Sequence, residues 1–176
     1  LAVCMHRPSA SMFVHWLPDC VLLALAMLPF IVRIASLNPL AACKHERKVD
    51  IRHEASSFDV FGMPGTQQRM LELPIDRALI DGRLWISAGY VHSPDSNRSC
   101  GCSVLFGKRV KEKNIVASWS APGSLQGRGL AVRAASGYYD WTACVLYFPP
   151  RPTKRRELAK YFSTCSRLVN WIDNVL

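Results

Sequence analysis

The side chains best equipped for chemistry are spread along this chain rather than clustered. Cys100-Gly101-Cys102 is the only close cysteine pair, and no second pair stands at the spacing a zinc knuckle or ribbon needs. The five histidines, at 6, 15, 45, 53 and 92, show no paired ligand spacing. His45 and His53 fall on one predicted helix, but the roughly two turns between them are too many for one metal ion. No Ser/His/Asp or Cys/His arrangement for nucleophilic catalysis is recognisable. Gly123-Ser-Leu-Gln-Gly127-Arg128-Gly129 has three residues between its first two glycines and then Arg-Gly. A phosphate-binding Walker loop needs four, then Lys-Ser/Thr, and it opens a helix; this segment precedes a strand and reads as a turn. Lys154-Arg155-Arg156 starts a predicted helix, where cations oppose the dipole. Such a run is ordinarily a solvated helix start; here its placement also hints at a nearby anion.

Charge is more informative than any of these residues alone. Nine Lys/Arg balance nine Asp/Glu from residue 1 to 97, whereas thirteen face four from 98 to 176, so the second part supplies the whole net charge of +9. A one-sided basic surface is the footprint of a polyanion, nucleic acid first and an anionic membrane second. The seven cysteines are odd in number and lack a framework spacing, which points to reduced, structural thiols in an intracellular protein. Cys144 and Cys165 sit in apolar company and read as small core residues. With 176 residues, 49% of them hydrophobic and 20% charged, the chain has the length and composition of one globular domain, not of a disordered or collagen-like protein. Its first residue is Leu1, as expected of a fragment or a conceptual translation.

The elements that would position these residues follow from apolar patterning. Residues 20–32 are the most hydrophobic stretch, too short and too interrupted by Pro29 to span a bilayer, which takes about 20 residues. They read as a buried helix added to the fold, or as upstream sequence outside it, ahead of a signal-peptide core. Residues 30–36 read as a strand, 40–57 as a helix and 58–63 as a second strand, a βαβ-like opening to a layered α/β fold. Short apolar runs at 84–90, 102–106, 130–134 and 141–147, separated by Gly, Pro, Asn and Asp, add antiparallel strands to a mixed sheet. Thr153 is the predicted N-cap of a last helix. Its apolar face comprises Leu158, Tyr161, Phe162, Cys165, Leu168, Val169, Ile172 and Val175.

Read in order, several segments resemble one family. Val32-Arg-Ile-Ala-Ser-Leu-Asn38 is similar to the first strand of endonuclease/exonuclease/phosphatase domains, and Phe58-Asp-Val-Phe-Gly-Met-Pro-Gly-Thr66 to the next core strand. Asn97-Arg98-Ser-Cys-Gly-Cys-Ser-Val-Leu-Phe106 resembles the Arg-x-Gly-Gly-Val strand, and Val145-Leu-Tyr147-Phe-Pro-Pro150 the Tyr-x-Pro segment that precedes a long helix. The wording from Gly127 to Pro150 is close to copies attached to retrotransposon reverse transcriptases. The resemblance covers residues 31–176, with residues 1–30 a hydrophobic extension. It implies the amino-terminal half of a four-layer α/β-sandwich with a mixed, largely antiparallel sheet. It also implies Mg²⁺-dependent hydrolysis of DNA phosphodiesters, with the metal neutralising charge on the scissile phosphate. Carried over by position, Asn38 would stand near the metal, Tyr147 would contact the phosphate and Arg98 the DNA backbone. Asn38 before Pro39 is also a common turn, and Tyr147 before Phe148-Pro149 a common packed strand end.

The departures bear on activity. Gly65 stands where the family has its metal-binding Glu, and glycine offers no carboxylate. The family's Gly-Asp-x-Asn and Ser-Asp-His segments would fall past Leu176. The resemblance therefore leads to an incomplete, non-cutting copy with DNA as partner of residues 98–176. A reverse transcriptase region in the parent polyprotein and a nuclear location are the further expectations, with no membrane partner. Two other readings are a purely nucleic-acid-binding remnant and a relative of phosphoinositide or sphingolipid phosphodiesterases.

Overall fold

A computed structural model describes residues 2–5, 11–17, 20–27, 30–36, 51, 53, 55–69, 73–91, 100–137 and 139–176, with side chains from residue 33 onward. The strands are β1 (Ala2–Met5), β2 (Ser11–Leu17), β3 (Cys20–Met27), β4 (Phe30–Ser36), β5 (Val60–Pro64), β6 (Ile75–Ile80), β7 (Arg83–Ala88), β8 (Cys102–Phe106), β9 (Ile115–Ser120), β10 (Gly129–Ala135) and β11 (Asp140–Leu146); α1 (Leu158–Val175) follows. They make two sheets, one ordered β2-β3-β4-β5-β8-β7-β6 and the other β1-β11-β10-β9. The fold class is α/β: a mixed sheet, an antiparallel sheet and a carboxy-terminal helix. The β4–β5 pair is parallel, with Ile34 opposite Val60 and Ser36 opposite Gly62, while the other strand pairs are antiparallel.

Period-two alternation explains how the sheets stack. Leu84, Ile86 and Ala88, then Cys102, Val104 and Phe106, point from the larger sheet into one core. Leu130, Val132 and Ala134, then Trp141, Ala143 and Val145, meet them from the smaller sheet. Burying each large apolar side chain in such a core contributes roughly 1.5–3 kcal/mol relative to leaving it exposed. The alternate residues face outward and are buried too. Phe61, Met63, Trp85 and Leu105 pack with Ile51 and Ala55, and Ala131 and Cys144 pack with Ile172 of α1. Strands covered on both faces give continuous apolar runs, which is why β8 and β11 stand out in the sequence.

Some expectations change. Residues 20–27 and 30–32 are extended, not helical: β3 and β4 pair antiparallel, Met27 opposite Phe30. Most of the expected 40–57 helix lies outside the described residues; Ile51 and His53 are helical and Ala55–Ser57 form a single tight turn. Thr153 does not cap α1. A tight turn at Arg155–Glu157 leads into the helix, and Glu157 occupies the cap position without a side-chain cap bond. On α1, Leu168 and Ile172 are buried, but Phe162 and Val169 are exposed and Trp171 packs in their place. The apolar face is thus rotated toward Trp171 from the predicted one. Among the described residues no helix is long and apolar enough to cross a membrane.

Candidate functional site at the strand ends

Antiparallel pairing of β5 with β8 sets Pro64 opposite Cys102, and pairing of β10 with β11 sets Gly129 opposite Leu146. The segments just outside these pairs meet at one end of the sandwich. Gly65 N donates to Gly101 O at 2.8 Å, and Thr66 N donates to the same oxygen at 3.0 Å. Gly101 N donates to Gly127 O at 2.6 Å, and Tyr147 N donates to Arg128 O at 2.8 Å. This run of backbone hydrogen bonds stitches the two sheets together without a side chain.

Glycine is required along it for two reasons. Gly65, Gly101 and Gly127 have φ of 75°, 112° and 72°, in the region that side chains rarely adopt. A Cβ on Gly101 would also lie 2.6 Å from Thr66 Oγ1 and 2.8 Å from Gln68 N, and one on Gly127 would lie 2.7 Å from Tyr90 Cβ. Gly65 therefore marks a turn with its own backbone demand, in addition to lacking a carboxylate. Thr66 is buried, and its hydroxyl finds no hydrogen-bond partner among the described residues.

Arg128 is the cation that this end holds inside. Its guanidinium carbon lies 5.6 Å from the centre of the Tyr147 ring. Such a pair contributes about 0.5–2 kcal/mol depending on desolvation. Its Nη1 is buried without a partner among the described residues. A cleft of about 850 Å³ opens beside it, lined by Arg128, Lys160 and Arg167 with Glu157, Ser163 and Thr164. Cys100 also lines the cleft. Burial pushes its thiol above the usual range, an effect the Arg128 charge partly offsets, and burial does the same to Cys102. Both are neutral thiols at physiological pH and poor nucleophiles.

The structure brings Tyr147 and the Gly65 position to one end of the sandwich, linked through Gly101 and Gly127-Arg128. Asn38 and Arg98 lie outside the described residues. Among the described residues no three His, Cys, Asp or Glu side chains stand close enough to share a metal ion. Glycine at position 65 brings no carboxylate to this end, and Mg²⁺ prefers oxygen ligands. Sequence reasoning missed Arg128, Lys160 and Arg167. The signal for the last two was present in the recurrence of Lys160, Ser163, Thr164 and Arg167 at helical spacing.

No known protein-family model and no curated protein sequence matches this chain.

Proposed function

We propose that residues 31–176 form an endonuclease/exonuclease/phosphatase-type domain of the retrotransposon kind that holds DNA by its phosphates without cutting it. The observation that carries this reading is the meeting of the Gly65, Gly101, Arg128 and Tyr147 segments at one sandwich end. Three of the four segments on which the family resemblance rests, 58–66, 97–106 and 145–150, meet there in order, joined by the Gly127–Arg133 stretch whose wording is close to retrotransposon copies. The parallel β4–β5 pair inside an otherwise antiparallel sheet supports it, as does the cover on both outer sheet faces, by Ile51 and Ala55 on one side and α1 on the other. That cover is what a four-layer sandwich requires. Loss of the carboxylate at position 65 removes the ligand that would centre a catalytic metal, while the basic residues from 98 to 176 keep the affinity for a polyanion. A nuclear location and a reverse transcriptase region in the parent polyprotein accompany the same reading.

The test uses the 176-residue protein with supercoiled plasmid and Mg²⁺. The expected result is no nicking above background, together with DNA binding whose logarithmic salt slope is about −0.9 per phosphate neutralised. Robust nicking by the purified chain would overturn the non-cutting assignment. Binding to anionic vesicles but not to DNA would overturn the choice of partner.

A further inference from the structure

The flank of α1 turned away from its apolar stripe differs from an ordinary solvated helix surface. Lys160, Ser163, Thr164 and Arg167 repeat at spacings of three and four, and all four line the same cleft as Arg128 and Ser124 of the neighbouring loop. Three cations thus face a cleft whose lining, among the described residues, contains one carboxylate, Glu157. On the sheet side the cleft is walled by Tyr90 and Cys100, which pack so tightly that a Cβ on Gly127 would lie 2.7 Å from one and 3.3 Å from the other. Arg128 is oriented by its stack on Tyr147, and its buried Nη1 has no acceptor among the described residues. Arg128 lines the cleft together with Lys160 and Arg167, and charge-assisted hydrogen bonds from such groups favour an anion there.

We infer that this cleft binds a phosphomonoester, the terminal phosphate of a nucleic-acid strand or of a free nucleotide. This rests on the DNA-binding reading above and deepens it. A monoester carries a charge of about −1.5 to −2 at neutral pH and three strong acceptor oxygens, which suits a cleft lined by three cations. An internal phosphodiester offers one charge and two free oxygens. A cleft walled on one side also admits a chain end more readily than a strand passing through. Ser163 and Ser124 supply hydroxyl donors for the remaining oxygen contacts, while the Thr164 hydroxyl is held by Lys160 O at 2.9 Å.

The experiment compares binding of the full chain to one oligonucleotide sequence with phosphate or hydroxyl ends, to the same sequence circularised, and to a nucleoside monophosphate as competitor. Phosphate ends are expected to raise affinity about tenfold over hydroxyl ends and over the circle. Lys160 and Arg167 are exposed, so a Lys160→Gln, Arg167→Gln double variant keeps the core intact. It should erase the preference while changing affinity for the circle by only about threefold, as expected when two surface phosphate contacts are lost at moderate salt. Displacement by the mononucleotide would identify a nucleotide as the source, and resistance to it a strand end. Equal affinity for phosphate and hydroxyl ends would overturn the inference and leave the DNA-binding reading standing. Failure to bind any DNA while still binding the mononucleotide through Lys160 and Arg167 would overturn the DNA reading and keep the phosphomonoester site.

Discussion

Midway along the strands, Leu84, Ile86, Val104, Leu130, Val132 and Val145 meet across the two sheets as fully buried apolar side chains. At one end of the same strands the packing gives way to glycine backbone in the left-handed region. There Thr66 Oγ1 and Arg128 Nη1 are buried without a partner among the described residues. The middle is built for stability alone. Gly65, Gly101 and Gly127 share that end with Tyr147 and the cleft, while Tyr139, whose hydroxyl is also buried without a partner among the described residues, and the Asp81-Gly82 turn lie at the other end.

Substitutions at the two places test that contrast. The largest effect is expected in the middle. Leu130→Ala should cost about 2–5 kcal/mol in chemical denaturation, because the removed atoms leave a cavity between two sheets. A loss under about 1 kcal/mol would mean that the sheets do not meet at Leu130. At the end, Gly101→Ala should cost about 1–3 kcal/mol, since its Cβ meets Gln68 N, which is backbone and yields little. Gly137→Ala is the matched control, with open space around its Cβ and an unremarkable φ, and should be close to neutral. The smallest effect carries the opposite sign. Thr66→Val keeps the shape and removes the orphan hydroxyl, so stability should hold or rise by up to about 1 kcal/mol. A clear loss would show that the Thr66 hydroxyl is hydrogen-bonded after all.

How much of this was legible in the sequence depended on the range of the interaction. The runs at 102–106 and 141–147 announced β8 and β11 because both faces of each strand are covered. Parallel pairing of β4 with β5 agrees with the βαβ-like order of strand, predicted helix and strand over 30–63. β6 was missed although its signal was local. Asp81-Gly82, with φ of 51° and 72°, is a two-residue hairpin turn of the type Asp-Gly favours. β6 itself is mostly exposed, so it lacks the apolar alternation that would have drawn attention to it. β9 was hidden the same way, half-buried along most of its length. At the site, Tyr147 was named through resemblance. Arg128 was passed over as part of a failed Walker loop, because nothing near it in sequence shows that α1, some thirty residues on, supplies Lys160 and Arg167 to the same cleft. Gly65 was read as a missing carboxylate, and only the fold shows the turn it makes.

The tryptophans have an optical consequence. Trp141 sits between the two sheets, 5.8 Å from the Phe106 ring; Trp85 lies on the outer face of the larger sheet; Trp119 and Trp171 lie where α1 covers the smaller one. Each layer of packing therefore carries its own intrinsic fluorophore. Detachment of α1 alone would redden Trp119 and Trp171 and spare Trp141, so the emission of variants that keep one of these tryptophans at a time distinguishes a helix that lifts from sheets that part.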